Sequence, residues 1–191
     1  MPDRQTAILE AAVRVIARSG VRGLRVEELA AEAGVSTALI YYHFKDRAGL
    51  VRRTLEFVSH RAEEYTGEEL TGDEDPRTEL EQWLLMEVQD TARVRENSIA
   101  WGELVATSVF DDGLRATLAE STRTWVEDIA ELIRESQRAG LADADADPVE
   151  SAERLTCLIE GISGRWLSGS MPLERARELI SGAVDVELGT R

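Results

Sequence analysis

The sequence predicts an all-α protein. Three observations carry this. Apolar residues recur at spacings of three and four along almost the whole chain, the period of a helix with one buried face. No stretch alternates apolar and polar residues long enough to make a useful strand, and no repeat or low-complexity tract interrupts the pattern. Most of the apolar runs are bounded by a residue type that starts or stops helices.

Taken in order, Ile8, Leu9, Ala12, Val15 and Ile16 form one face of a first helix, about residues 3–19, with Ser19-Gly20 as its stop. Val26, Leu29, Ala30 and Ala33 mark a short second helix, and Gly34 ends it by accepting the positive φ that a helix end often demands. Ser36 is a good N-cap for a third helix that buries Leu39, Ile40 and Phe44. Asp46 caps a fourth, with Leu50, Val51 and Leu55 inward, running to about Tyr65. Residues 66–76, TGEELTGDEDP, a polar, glycine-bearing acidic break, are the best domain boundary in the chain. Pro76 suits the first turn of a fifth helix faced by Leu80, Trp83, Leu84 and Val88. Residues 96–110, ENSIAWGELVATSVF, read as a sixth helix broken near Asp111-Asp112-Gly113. Leu114, Leu118, Trp125, Ile129, Leu132 and Ile133 mark a long seventh helix ending at Ala139-Gly140, followed by the loop LADADADP. Leu155, Leu158, Ile159, Ile162 and Trp166 stripe an eighth helix. Pro172 opens a ninth, with Leu173, Ala176, Leu179, Ile180, Ala183 and Val184 on one side.

Composition narrows the function. A chain of 191 residues with 43% hydrophobic content is globular. No apolar run approaches the roughly 20 residues of a membrane span, and charged residues interrupt the N-terminal pattern where a signal peptide is uninterrupted. The single Cys157 excludes an internal disulfide framework, which points to a reducing, cytoplasmic setting with no membrane partner. There is no Cys–His pair in a plausible setting, no glycine-rich phosphate loop and no metal-ligand spacing, so neither an enzyme, a cofactor nor a metal is expected. The net charge of −15 is unevenly spread. Residues 1–60 hold nine Lys or Arg against seven Asp or Glu, and residues 61–191 hold thirteen against thirty. Different parts of the chain are thus suited to different partners.

The slightly basic part contains VEELAAEAGVSTALIYYHF, residues 26–44. Small Ala30, the turn residue Gly34 and the apolar Leu29, Ala33, Val35 and Ile40 have the spacing of a helix-turn-helix, which lays its second helix in the DNA major groove. Thr37, Ala38, Tyr41 and Tyr42 then point outward: adjacent tyrosines about 100° apart on a helix cannot both face inward. Ala38 allows close approach to a thymine methyl. Ser36, Thr37, Tyr41, Tyr42, Lys45 and Arg47 are phosphate-binding types, and Arg47 lies at a helix N-terminus that itself attracts phosphate.

At these residues the sequence resembles the TetR/AcrR family of bacterial transcriptional regulators. The words that carry the resemblance are AILEAAVRVIARSG, VEELAAEAGVS, IYYHF and KDRAGLV, over about residues 5–55. The resemblance implies a DNA-binding head over residues 1–46. It implies a ligand-binding and dimerisation body over 47–191, joined to the head by a helix at about 47–65. It further implies a homodimer paired through the last two helices, a palindromic double-stranded operator and repression relieved by a small-molecule effector. Thr37, Tyr41, Tyr42, Lys45 and Arg47 match the family's DNA-contact positions. The chain departs from the family in carrying Leu24-Arg25-Val26 where a Ser or Thr cap is usual; Arg25 can reach a phosphate by charge instead. GVSTALIYYHFKDRAGL is similar to the branch that regulates the choline-to-betaine pathway, and AWGELVATSVFDDGLRATLAEST and LIEGISGRWL resemble that branch's body.

In the body, Trp101, Trp125 and Trp166 with carboxylates such as Glu103 could line a pocket for an apolar or cationic ligand; ordinary core is the more common role for Trp101 and Trp125, and Trp166 on the eighth helix serves equally as dimer interface. Leu155, Leu158, Ile159, Ile162, Leu179, Ile180 and Val184 would make a four-helix dimer seam or, equally, intramolecular core. The residues also leave room for a helical adaptor that binds another protein and no DNA.

Overall fold

The computed structural model describes residues 3–68 and 75–189, with side chains for all of these but 63–68. Among the described residues are nine α-helices and no strand. They are α1 (Arg4–Gly23), α2 (Val26–Ala33), α3 (Thr37–Phe44), α4 (Arg47–Glu68), α5 (Pro76–Met86), α6 (Ala92–Ser108), α7 (Asp112–Arg138), α8 (Pro148–Leu167) and α9 (Leu173–Leu188).

The start and stop signals act where the sequence places them. Gly20 has φ 69° and ψ 169°, a region open to glycine alone, so the regular part of α1 ends there and Val21–Gly23 form a separate turn. Asp75 accepts from the N–H groups of Arg77 and Thr78 with Pro76 just inside, and Asp147 caps α8 in the same way ahead of Pro148. The acidic break at 66–76 differs in part from expectation: α4 continues to Glu68, residues 69–74 lie outside the described residues, and Asp75 already belongs to the next helix as its cap.

The chain forms two compact units, Met1–Arg61 with Glu96–Ser121, and Ala62–Arg95 with Thr122–Arg191. The first unit has a core of Ile8, Leu9, Val13 and Ile16 from α1, Leu29 from α2, Ile40 and Phe44 from α3, and Leu50, Leu55 and Val58 from α4. Ala100 and Leu104 of α6 and Leu114 of α7 complete it. At about 25 cal/mol per Å² of apolar area removed from water, this shared core is what stabilises two eight-residue helices that could not persist alone. Arg14–Glu32 (3.0 Å) and Arg18–Glu28 (2.8 Å) add exposed ion pairs between α1 and α2. Val109 and Phe110, in the turn after α6, are 60% and 83% exposed.

The second unit packs Leu80, Leu84 and Val88 against Ile129, Ile133, Leu155, Ile159, Ile162, Trp166, Ala176, Ile180, Val184 and Leu188. Leu155, Ile159, Ile162, Ile180 and Val184 are therefore core within this chain. For these five the intramolecular reading of the stripe replaces the dimer seam, because their area is already consumed. Leu179 is half-buried and Leu158 is 38% exposed, the next turn having rotated it off the core face. Arg77, 1% exposed, donates to the carbonyls of Leu141 (3.0 Å) and Leu188 (3.2 Å) and to Oδ1 of Asp185 (2.8 Å).

Candidate nucleic-acid interface

The α2–α3 hairpin is built from its turn outward. Gly34 takes φ 65°, which lets its N–H reach the carbonyl of Ala31 (3.3 Å) and the Val35 N–H reach that of Ala30 (2.9 Å). This pair of bonds closes α2 in a Schellman arrangement. Ser36 then accepts the Leu39 N–H on its Oγ at 3.2 Å and starts α3. No side chain caps α2 at Arg25, as the departure at Leu24-Arg25-Val26 implies.

α3 divides its residues cleanly. Ile40 and Phe44 face the core at 1% and 3% exposure, while Tyr41 and Tyr42 stand outward at 47% and 81%. Ala38, Lys45 and Ser36 are exposed, Thr37 and Leu39 half-buried, and Arg25 is exposed at the start of α2. His43 is half-buried, with its ring edge-on to Tyr42 at 5.3 Å and tilted against Phe44 at 6.1 Å. The helix thus offers aromatic hydroxyls, a small residue and a cation, groups suited to base edges and phosphates.

The joint to α4 is tightly specified. Lys45 has φ 64° and ψ −56°, and the Asp46 N–H bonds the Phe44 carbonyl at 2.7 Å. This is a γ-turn of the rare positive-φ kind, strained for a residue with a Cβ. Asp46 Oδ1 accepts the Gly49 N–H at 2.7 Å, the expected cap of α4. Gly49 is obligatory: a Cβ there would lie 2.3 Å from the Phe44 carbonyl oxygen. The sequence reading did not single it out; a glycine in the first turn of a helix was the available signal.

Two expected site residues have backbone partners. Arg47, exposed at the start of α4, donates from Nε to the Leu24 carbonyl (3.2 Å) and from Nη2 to the Val21 carbonyl. Starting α4 so close to the end of α1 brings those carbonyls within reach of the fork. Glu103 is not a pocket carboxylate: its Oε2 accepts the Val21 N–H at 3.2 Å, beside the bend at Gly20. The other residues assigned to the pocket do not share one cluster. Trp101 packs on the first unit's core, and Trp125 and Trp166 belong to the second. Trp166 is 6% exposed and carries the guanidinium of Arg95 over its ring, 5.1 Å from the centroid. A residue the sequence did not flag is Asn97 of α6, 2% exposed. Its Nδ2 donates to the Val58 carbonyl of α4 (3.1 Å), and its Oδ1 is buried without a partner. Among the described residues no group of three or more His, Cys, Asp or Glu is placed to hold a metal ion, and no helix is long and apolar enough to cross a membrane.

A helix-turn-helix with its second helix exposed, on an otherwise helical chain, defines the class: a DNA-binding regulator. Comparison with known proteins agrees. Residues 8–54 match the bacterial regulatory proteins of the tetR family, and residues 76–189 match the C-terminal region of BetI-type transcriptional repressors. The chain belongs to the TetR family, with a BetI-type body, and is a ligand-responsive transcriptional regulator rather than an enzyme. The regulator BetI of Cronobacter sakazakii is 26% identical over 98% of this chain and 92% of that protein. BetI of Burkholderia ambifaria is 25% identical over 88% and 82%. Among solved structures, a TetR-family regulator from Rhodococcus sp. is 45% identical, with a TM-score of 0.91 over 98% of this chain and 100% of that one. A regulator from Saccharomonospora viridis, solved in complex with choline, is 26% identical, with a TM-score of 0.85 over 98% of each chain.

Proposed function

We propose that the protein is a cytoplasmic repressor that binds a palindromic operator as a homodimer. Each copy lays α3 in the major groove, with Arg25, Ser36, Thr37, Ala38, Tyr41, Tyr42 and Lys45 as the DNA-contacting residues. The observation that carries the reading is the outward pair Tyr41 and Tyr42 on a helix whose other side is fully committed to the core. Two adjacent tyrosines exposed on the outer side of the hairpin's second helix present amphipathic rings and hydroxyls to a partner, the pairing of groups that a wet, polar interface uses.

Pairing uses the faces of α8 and α9 turned away from the core, where Leu158, Gly161, Gly182 and Val186 are exposed. Small residues there permit close helix approach. Two-fold pairing places operator half-site centres about 34–36 Å apart or at multiples of that spacing. The effector is a small organic cation, with choline the first compound to try because the Saccharomonospora viridis neighbour holds it. Its site draws on Trp125 in the second unit, whose half-buried ring face attracts a quaternary ammonium.

The test is selection of bound sequences from random duplex DNA, followed by a salt titration of the winner and addition of choline. A palindrome bound at nanomolar strength and released by choline supports the whole reading. A palindrome indifferent to choline retains the operator and removes the effector. No enrichment above non-specific binding removes operator recognition.

A further inference from the structure

We propose that Glu103 and Arg47 are positioning residues that hold one turn, Val21–Leu24, between α6 and α4, and so set where the helix-turn-helix sits. The inference rests on the operator-binding reading but concerns residues that neither touch DNA nor bind the effector.

The geometry is a two-sided grip on one residue, Val21, by its N–H and its carbonyl. The bend at Gly20 leaves the Val21 N–H outside the regular bonding of α1, and Glu103 of α6 accepts it at 3.2 Å. The carbonyl of the same residue receives Arg47 of α4, whose Nε also takes the Leu24 carbonyl at 3.2 Å. Each is a charge-assisted bond, the kind worth roughly twice a neutral one, and the Arg47 bond to Val21 adds to the one that carbonyl already accepts from the Leu24 N–H (3.2 Å). The gripped turn leads directly into Arg25 and Val26, where α2 begins. A shift of α6 or of α4 is therefore transmitted to the start of α2 through side chains with a fixed reach. Nearer the N-terminus of α6, Asn97 bonds the Val58 carbonyl of α4, so α6 and α4 are also tied directly to one another. The two helices and the turn form a closed triangle.

The competing role for Arg47 is phosphate contact, and salt separates the two. Removing a phosphate contact lowers the slope of log affinity against log salt by about 0.9, whereas removing a positioning residue lowers affinity with the slope unchanged. The experiment measures binding of the selected operator at several salt concentrations for the wild type, Arg47→Met, Arg47→Lys, Glu103→Ala, Glu103→Gln and the Arg47→Met/Glu103→Ala double variant. Amide hydrogen exchange of the free proteins is read alongside.

The expected results are losses of roughly tenfold for Arg47→Met and Glu103→Ala, the size of one lost charge-assisted bond, at unchanged slope. Arg47→Lys, which keeps the charge but not the fork, should resemble Arg47→Met. Glu103→Gln, which keeps an acceptor, should recover most of the loss. The double variant should lose less than the product of the singles, because both act on one turn. Exchange should quicken at Val21 and along α2 in both single variants. A slope reduced by about 0.9 in Arg47→Met, with Arg47→Lys like wild type, overturns the assignment of Arg47. Unchanged exchange at Val21 and α2 overturns the grip itself, whether or not any duplex is bound. Failure of the wild type to bind DNA, with exchange as expected, removes the operator reading and leaves the positioning role standing.

Discussion

Tyr42, Lys45 and Asn97 each place a side chain where its cost is visible. Tyr42 exposes an aromatic ring at 81%, so Tyr42→Ala should leave the melting temperature unchanged and weaken operator binding about tenfold, the worth of one well-placed contact. Lys45 holds a positive φ at a cost of about 1–3 kcal/mol, which fixes the direction of its side chain. Lys45→Ala should flatten the salt dependence of binding by about 0.9 in slope, the signature of the phosphate contact proposed for it, and an unchanged slope would remove that contact. Asn97 is the opposite case, a buried acceptor with no donor. Leaving such an oxygen unpaired costs about 1–3 kcal/mol, more than its Nδ2 bond to the Val58 carbonyl returns. Asn97→Leu should therefore melt a few degrees higher than wild type. A lower melting temperature would show that a bound water satisfies Oδ1 in solution.

At the scale of the element, the stops and caps were legible in the sequence because each is a local affair. Gly34, Ser36, Asp46 and Pro76 act within three or four residues of themselves, whereas the cap at Asp147 ahead of Pro148 lies inside a stretch whose composition reads only as a loop. The outward pair on α3 was legible too, from helical geometry alone. What the sequence could not reveal depends on long reach. Glu103 meets Val21 and Arg47 meets Val21 and Leu24 only after helices distant in sequence have packed, and nothing in the spacing of those residues announces it. The apolar stripe on α8 was visible, but a stripe does not say whether it faces its own chain or a second copy. The buried guanidinium of Arg77 belongs with these long-range ties: it joins α5 to the loop after α7 and to the end of α9. Arg77→Leu would take the donor from the Leu141 carbonyl and leave the Leu188 carbonyl with the Asp143 N–H alone. It should cost about 1–3 kcal/mol, on the order of a 2–12 °C fall in melting temperature for a chain of this length, since Asp185 stays solvated. An unchanged melting temperature would mean that water replaces the guanidinium.

For the molecule as a whole, charge is divided along the chain. Residues 1–60 carry a small positive excess and residues 61–191 an excess of seventeen negative charges. The acidic surplus repels phosphate, so binding depends on the head's few cations being well placed rather than numerous, and non-specific affinity should be low. The turn between α6 and α7 has a different kind of consequence. Phe110 stands 83% exposed there, outside any helix, whereas the equally exposed Tyr42 sits within one. A protease needs an extended segment in its cleft, and a turn supplies one at far lower cost than an unwound helix. Brief chymotrypsin treatment should therefore cut first after Phe110, separating α1–α6 from α7–α9. Because Leu114 remains anchored in the first unit's core, the two pieces should migrate together until denatured. The same turn is then the natural place to insert a fluorescent peptide or to divide the gene into two complementing halves, so that assembly of the regulator can be followed in a living cell.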